Sequence, residues 1–310
     1  MSTTREDYPK DVFTSVREMY LMEALAKSFS FNNQKHKVNS LFGGKHTSRS
    51  RGRGLDFEEV RKYVKGDDIR NIDWKVTART QRTHTREFTE EKEKPCLLVV
   101  DQSSAMFFGS EKRTKAVVAA ELAALSAFRV AQEGDSVGGV IFGDQGIDFI
   151  APRRGKKNVL RLLKSIEKRN HELKFADGSR YETLLSETFA RIKNVVTHDF
   201  LVVVISDFHR YNPNVLKVIA QLSQHNDLMV AKVMDPLERD IPNTNFVVSD
   251  GVNQLTVKGS KSAFQHAFTN GYDEGVLNFK AQLRKFKIPL LTFNTVDTIQ
   301  AQIQDQVIKK

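Results

Sequence analysis

Residues 94–109 read KPCLLVVDQSSAMFFG, and this stretch decides the fold. Its apolar run, residues 97–100, has the length and composition of a strand that is buried on both faces of a sheet. The run ends at Asp101 and a short polar loop, and an alanine-rich amphipathic helix is predicted after Gly109. Open α/β sheets place ligand sites where a strand passes into a loop and then a helix. We therefore predict a site at the carboxyl end of this strand.

The chain beyond this strand alternates apolar runs of strand length with amphipathic segments of helix length. Strands are predicted at residues 137–142, 200–206, 228–234 and 289–293, and helices at residues 112–132, 158–168, 182–195, 214–225, 262–286 and 297–308. This alternation predicts an α/β fold with a doubly wound, mostly parallel sheet. A strand at 147–151 is predicted to return from a hairpin turn. We expect a domain over residues 94–310, with a hairpin insertion near residues 246–257.

Residues 1–93 are predicted to form an N-terminal helical and irregular extension. Residues 8–31 carry apolar side chains at helical spacing with charges between them, which predicts an amphipathic helix. Such a helix packs on the body of its own protein or offers its apolar face to a partner, and the sequence leaves both open. A further helical turn or two is predicted at residues 57–63, ended by Gly66.

The net charge of +10 is concentrated in one segment, residues 32–55, which contains six cationic residues and no acidic one. The segment is not a phosphate-binding loop, because no hydroxyl residue follows Lys45 and Asn39 stands where the first glycine is needed. We predict a flexible cationic loop. Nucleic-acid binding through residues 32–55 is the alternative function, although Phe42 is the only aromatic residue there for base stacking.

Charged side chains surround the only tryptophan of the chain. Arg70, Asp73 and Arg79 lie close in sequence to Trp74. One interpretation is a buried or half-buried ion-pair lattice with guanidinium planes against the indole, which would act as a stabilising brace. The other is a docking surface, in which these four residues contact a partner. The alternation that follows, from residue 84 to residue 88, predicts a strand.

Composition limits where the protein is expected to act. No apolar run is long enough to cross a bilayer, and the first residues show no apolar segment typical of a signal peptide. Cys96 is the only cysteine, so the chain can form no internal disulfide, and we expect a buried, inert thiol. These features predict a soluble, cytoplasmic protein of a bacterial or other reducing cytosol.

Oxygen-bearing side chains follow two of the predicted buried strands. Asp101 and Asp207 each close an apolar run, and neighbouring strands would bring both carboxylates into one crevice. Ser103 and Ser179 would complete an all-oxygen set, which suits a hard cation such as Mg²⁺. The alternative is that each aspartate acts as a helix cap or hydrogen-bond acceptor, which is the commoner role at such a position.

Several stretches resemble known sequence motifs. Residues 101–106, DQSSAM, resemble the metal-ion-dependent adhesion site of von Willebrand factor A-type domains, Asp-x-Ser-x-Ser. Residues 63–79, YVKGDDIRNIDWKVTAR, together with GDSVG at 134–138 and DPLE at 235–238, resemble the bacterial domain of unknown function 58 family. The resemblance implies a von Willebrand A-like, Rossmann-like domain that acts as a non-enzymatic adaptor. Its implied partner is an AAA+ ATPase of the MoxR type, and other von Willebrand A-domain proteins are further candidates.

Only some of the ligand positions of the adhesion site have matching residues in this chain. Asp101, Ser103 and Asp207 match expected ligand positions, and Ser179 keeps the hydroxyl of the family's loop threonine. Ala105, however, replaces the second serine, and a cation, Arg180, follows Ser179 where an acidic residue is common. The implied site is therefore degenerate, and both a bound Mg²⁺ and a metal-free site that still holds the partner stay open.

Catalytic interpretations fit the sequence less well. Ser136 lies in a Gly-x-Ser-x-Gly pattern, but this pattern follows a helix and leads into a strand, the reverse of a hydrolase elbow. Asp101 lacks the second carboxylate that a phosphoryl acceptor would need two residues later. The histidines are dispersed, so no zinc site is predicted, and His209 is expected to be a solvated loop residue. A hydrolase or phosphatase is the third function that we consider, and we predict that the protein is not an enzyme.

Overall fold

A computed structural model describes residues 8–28, 51–89, 94–175, 181–209, 211–249, 254–259 and 262–308. The chain divides into two compact units, one formed by Gly44–Glu93 and the other by Met1–Gly43 together with Lys94–Lys310. The smaller unit contains a two-stranded sheet, and the larger unit contains a six-stranded sheet and a second two-stranded sheet.

The elements are numbered in chain order. The strands are β1 (Arg51–Lys62), β2 (His84–Thr89), β3 (Cys96–Asp101), β4 (Val137–Gly143), β5 (Gly146–Arg153), β6 (Leu201–Ser206), β7 (Asp227–Met234), β8 (Asn245–Ser249), β9 (Gln254–Lys258) and β10 (Leu290–Asn294). The helices are α1 (Val16–Tyr20), α2 (Met22–Ser28), α3 (Trp74–Thr80), α4 (Lys115–Gln132), α5 (Lys156–Glu172), α6 (Tyr181–Val195), α7 (Pro213–Leu222), α8 (Ser262–Lys285) and α9 (Ile299–Ile308).

The six-stranded sheet of the larger unit has the order β10-β7-β6-β3-β4-β5. All neighbouring pairs are parallel except β4 and β5, which form the predicted antiparallel hairpin. Strand β3 is buried along its whole length, and its side chains alternate between two cores. Leu98 and Val100 belong to one core, and Leu97 and Val99 belong to the other. The predicted α/β class, with helices packed on both faces of a mostly parallel sheet, is confirmed.

The N-terminal helix differs from the prediction of one helix over residues 8–31. Helix α1 begins only at Val16, because Ser15 is an extended N-cap that forms a capping box with Glu18. Leu21 separates α1 from α2, and residues 29–31 lie outside the described part of the chain. Met19 and Ala26 are buried in the same core as α4, so these helices pack in cis.

This packing corrects the predicted domain boundary. The sequence predicts a single boundary, between residues 93 and 94. In the structure, the N-terminal helices belong to the larger unit together with the sheet. Besides the shared core, the Thr14 amide donates to Asn170 Oδ1 at 2.8 Å, and Lys156 Nζ donates to Glu23 Oε1 at 2.6 Å. The apolar residues of α1 and α2 that belong to this core are therefore covered by their own chain.

The helical turns predicted at residues 57–63 are wrong. These residues lie in or next to β1, which pairs with β2 in an antiparallel register that sets Val60 opposite Arg86 and Lys62 opposite His84. The apolar spacing of Phe57, Val60 and Tyr63 fits a helix, but it is too short to distinguish one from a strand, and pairing with β2 decides the outcome. The strand predicted at residues 84–88 is confirmed as β2.

The hairpin insertion is confirmed as β8 and β9, which pair with each other in a separate sheet. The residues that connect β8 to β9, 250–253, lie outside the described part of the chain. Among the helices described, none combines the length and the apolar composition that a membrane crossing requires.

Replacing Met19 by alanine should destabilise the fold, because Met19 is fully buried where α1 meets the core. We expect Met19→Ala to lower the free energy of unfolding by about 3 kcal/mol, measured by urea denaturation. Leu21→Ala is the matched control, since Leu21 is 66% exposed, and should change the free energy by less than about 0.5 kcal/mol. Equal effects of the two substitutions would contradict packing of α1 in cis.

The docking of α2 should also depend on pH through Glu23. Hydrogen bonds from Lys156 and Tyr20 lower the pKa of Glu23 from 4.5 to about 2. A carboxyl group with a depressed folded-state pKa stabilises the fold above its unfolded pKa, and this contribution is lost as the pH falls through the folded value. Glu23→Gln should therefore lower the free energy of unfolding by about 1 kcal/mol at pH 7.

The difference between wild type and Glu23→Gln should shrink as the pH falls from 4.5 toward 2, when followed by urea denaturation at each pH. Glu187→Gln, at an exposed position on α6, is the control and should show little difference at any pH. A difference that stays constant over this range would show that the Glu23 charge does not stabilise the docked helix.

Candidate functional site

The carboxyl edge of the six-stranded sheet brings together the aspartates that close its central strands. Strand β3 ends at Asp101, β6 is followed by Asp207, and β7 is followed by Asp235. β3 and β6 are parallel neighbours, as predicted, and β7 lies on the other side of β6. All three aspartates are buried. The edge is therefore a cluster of buried carboxyl groups, and its charge balance decides what it can bind.

Asp101 is held by donors from its own loop and from the neighbouring strand. The Ser103 amide donates to Asp101 Oδ1 at 3.0 Å, and Ser206 Oγ donates to Asp101 Oδ2 at 2.6 Å. Burial, together with the nearby charge of Asp207, raises the pKa of Asp101 to about 7. The hydroxyl oxygens of Ser103 and Ser104 are buried without a hydrogen-bond partner among the described residues.

A lysine that the sequence interpretation missed lies beside Asp207. Lys115 is the first residue of α4, and its side chain is only 3% exposed. Lys115 Nζ donates to Asp207 Oδ2 at 2.7 Å and also to a carboxylate oxygen of Glu238. Burial alone would lower the pKa of the Lys115 ammonium group, but attraction to Asp207 and Glu238 prevails and raises it. Lys115 therefore stays charged inside the site.

A second buried lysine reaches the same aspartate. Lys232 lies in β7, and its ammonium group donates to the backbone carbonyl oxygen of Asp207. The sequence contained a signal for this residue, because Lys232 interrupts an otherwise apolar strand, LMVAKVM. Lys115 gave a weaker signal as a cation in the first turn of an alanine-rich helix, where the helix dipole disfavours positive charge.

The loop after β6 departs from ordinary backbone geometry. Phe208, directly after Asp207, has a φ of +59°, a left-handed conformation that costs a bulky residue on the order of 1 kcal/mol. His209 is partly exposed, as predicted, but it also contacts Glu238, with 3.5 Å between Nε2 and Oε2. This contact and the charge of Lys115 outweigh burial and lower the pKa of Glu238 to about 2.

The described residues do not fit the Mg²⁺ ion that the spacing predicted. The buried Ser103 and Ser104 hydroxyls favour a cation, while Ala105 offers no side-chain oxygen. Asp207 already contacts two ammonium groups, those of Lys115 and Lys232. At an effective dielectric constant of about 20, a divalent cation about 4 Å from one such group would be repelled by about 8 kcal/mol.

A second grouping of potential ligands meets the same obstacle. One ligating atom each from Asp207, His209 and Glu238 lie within 4.8 Å of one another. However, the Lys115 ammonium group contacts both Asp207 and Glu238, so the two carboxylates already share a cation. We conclude that this cluster is an internal ion-pair network with its positive charge supplied by the chain.

Two predicted features fall on residues outside the described part of the chain. Ser179, the fourth predicted ligand, and Arg180 lie in the segment 176–180. Most of the basic segment, residues 32–50, is also outside it, and of residues 51–55 the structure describes the backbone only, as part of β1. The metal role of Ser179 and the nucleic-acid alternative therefore stay predictions from sequence.

In the smaller unit, the ion pairs around the tryptophan are different from those predicted. Arg61 forms a two-pronged pair with Asp67, at 2.8 and 2.9 Å, and Arg86 Nε donates to Asp73 Oδ2 at 2.9 Å. Asp73 also caps α3 by accepting hydrogen bonds from the amides of residues 75 and 76. These pairs brace the turn and the start of α3. Asp73 is thus a structural residue.

Trp74 itself is not buried in an ion-pair lattice, as one interpretation of the sequence expected. Its side chain is 69% exposed, and no guanidinium group of the described residues stacks on the indole. Val64 and Ile69 are similarly exposed, and so are Arg70 and Arg79. We call Val64, Ile69, Arg70, Trp74 and Arg79 the signature surface. The ion pairs and the exposed signature surface therefore occur in the same unit, and Asp73, one of the predicted docking residues, belongs to the ion pairs.

The larger unit also contains a cavity. It has a volume of about 650 Å³ and lies between α7 and the end of α8, where Leu216, Leu283 and Phe286 are among the lining residues. Asp101, Ser103 and Asp207, the predicted metal ligands that the structure describes, do not line it.

Sequence comparison gives one family match and several relatives. The model of the family described as "Protein of unknown function DUF58" matches residues 59–274. Uncharacterised proteins of Mycobacterium bovis and Mycobacterium tuberculosis are 28% identical over 218 residues, which is 69% of this chain and 66% of each relative. The chain thus matches slightly less than two thirds of the length of these relatives.

Solved structures with a similar fold include two von Willebrand A domains. The VWA domain of SpRpn10 is 11% identical, covers 69% of this chain and 95% of its own, and has a TM-score of 0.34. The von Willebrand factor type A protein of Catenulispora acidiphila is 16% identical, covers 47% of this chain and 34% of its own, and has a TM-score of 0.27. At such scores neither structure is a template for individual residues.

Removing the hydroxyl group that links β6 to Asp101 should destabilise the carboxyl edge. Ser206→Ala deletes the 2.6 Å hydrogen bond to a fully buried carboxyl group, and we expect a loss of about 2 kcal/mol in the free energy of unfolding, measured by urea denaturation. Ser186→Ala, at an exposed position on α6, is the control and should have little effect. A neutral Ser206→Ala would show that Asp101 does not depend on this donor.

Proposed function

Because the chain belongs to the family described as protein of unknown function DUF58, we propose that it is a protein-binding adaptor without catalytic activity of its own. The observation that carries this proposal is the exposure of the signature surface, which lies within the range that the family model matches. A large exposed apolar side chain held on a rigid support is characteristic of a binding surface.

The support for this surface comes from the ion pairs beneath it. Arg61 joins the end of β1 to Asp67 in the following turn and to Glu87 in β2. Asp73 fixes the first turn of α3, from which Trp74 projects. A side chain on a braced turn loses little conformational freedom on binding, so more of its contact energy is available for affinity.

Charge indicates the kind of partner that would fit. The exposed cations near Trp74 include Lys65, Arg70, Lys75 and Arg79, whereas Asp68 is an exposed acid in the same stretch. An acidic partner surface with an apolar pocket would complement this pattern and would be attracted over a distance by the net positive charge. The resemblance to domain of unknown function 58 proteins suggests that the partner is a MoxR-type AAA+ ATPase, with other von Willebrand A-domain proteins as further candidates.

The local structure of Ser136 supports a non-enzymatic role over a hydrolase. Ser136 follows the turn after α4 and leads into β4, and its backbone carbonyl accepts a hydrogen bond from the Cys96 amide. A hydrolase nucleophile would instead project from a sharp turn between a strand and the helix that follows it. The Gly-x-Ser-x-Gly pattern is therefore explained as a tight connection between α4 and β4.

The proposal is tested by binding of the purified chain to a purified MoxR-type ATPase from the same host. Trp74→Ala should weaken binding about 30-fold in a surface-based kinetic assay, because a central interface tryptophan commonly contributes about 2 kcal/mol. The melting temperature of the variant should be unchanged, since Trp74 is exposed.

Phe175→Ala is the matched control, because Phe175 is as exposed as Trp74 but belongs to the larger unit. It should bind the ATPase as wild type does. If Trp74→Ala binds the ATPase as tightly as wild type does, the signature surface is not the binding surface. If wild type does not bind the ATPase, the ATPase is not the partner.

A further inference from the structure

The most unusual feature of the carboxyl edge is a buried cation that belongs to the chain. The Lys115 ammonium group lies between Asp207 and Glu238 and contacts both. Its side chain is almost fully enclosed, and the aromatic ring of Phe108 covers it, with its centroid 5.9 Å from Nζ. The lysine is therefore part of the interior of the site.

Without these two carboxylates, a positive charge at the position of Lys115 would be unfavourable. It is the first residue of α4, where the amide dipoles of an 18-residue helix disfavour positive charge. Burying an ammonium group is also unfavourable unless it is paired and hydrogen-bonded. The site thus keeps a cation at a place where both the helix and the burial oppose it, which requires the negative charge of Asp207 and Glu238.

One of the carboxylates expected of a metal site contacts this lysine, and the other is held by different donors. Asp207 is one of the residues that match the adhesion-site pattern, and it accepts from Lys115 through Oδ2 and from the His209 amide through Oδ1. The other matching aspartate, Asp101, accepts from Ser103 and Ser206. Each of the two carboxylates therefore accepts hydrogen bonds from the protein on both of its oxygens. Ala105 has no side-chain oxygen that could bind a metal.

We propose that Lys115 is the built-in cation of this site and replaces a divalent metal there. The ammonium group pairs permanently with both Asp207 and Glu238, so the carboxyl edge keeps its shape without a metal ion and is insensitive to chelators. The inference concerns the site itself and does not depend on the proposed partner. It can therefore be tested, and contradicted, with the chain alone and without any ATPase.

The test is a titration of the full chain with Mn²⁺ as a paramagnetic probe, followed by electron paramagnetic resonance, together with thermal unfolding. Wild type should bind no Mn²⁺ stoichiometrically at millimolar concentration, and its melting temperature should not change with Mn²⁺ or EDTA. Lys115→Met should lose roughly 10 °C in melting temperature, because two buried carboxylates lose their cation.

Lys115→Met should also gain one Mn²⁺ site, and the bound ion should recover part of the lost melting temperature. Asp207→Asn in the Lys115→Met background should abolish this gain. Lys164→Met, at an exposed position on α5, is the matched control and should behave as wild type does.

Two results would overturn the proposal. Stoichiometric Mn²⁺ binding by wild type that Asp207→Asn abolishes would show that a metal site exists beside the lysine. A folded Lys115→Met variant that binds no Mn²⁺ would show that the lysine does not stand in for a metal. The wild-type titration needs no substitution, so the proposal stays falsifiable if Lys115→Met does not fold.

Discussion

Burial of β3 on both faces is the constraint from which the architecture of the larger unit follows. A strand in this position must be apolar along its length, must have parallel neighbours on each side, and must have helices above and below. The neighbours are β4 and β6, and the two cores contain alternate residues of β3. The same arrangement brings the ends of β3 and β6 together, which places Asp101 next to Ser206 and close to Asp207.

Carboxyl groups that lie close together at a buried edge repel one another, and this repulsion must be offset by positive charge. In this chain the positive charge comes from its own lysines. Lys115 and Lys232 come from a helix and a strand that are far from Asp207 in sequence, at separations of 92 and 25 residues. The brace of the smaller unit follows a similar principle, with Arg61 and Arg86 paired to acids near them. In both units the buried and half-buried charged residues near the family motifs are structural, and this leaves the exposed residues of the signature surface as the candidates for binding.

The sequence predicted the sheet well, because apolar runs of strand length alternate with amphipathic segments of helix length. It failed at residues 57–63, since an apolar spacing of three residues over so short a stretch fits a helix or a strand, and pairing with β2 decides. It could not give the exposure of Trp74, because neighbouring charges are compatible with a buried or an open indole. It missed Lys115 because the two acids that stabilise it are brought near only by tertiary folding.

The central claim is that the positive charge at the carboxyl edge comes from the chain, and a crystal structure of the protein grown with Mn²⁺ tests it most directly. Anomalous scattering at the manganese edge would locate any bound ion without reference to the side chains. The account predicts that Lys115 Nζ contacts Asp207 and Glu238 and that no anomalous peak lies within coordination distance of Asp101, Ser103 or Asp207. A peak bound by Asp101 and Ser103, with Lys115 displaced from Asp207, would contradict it.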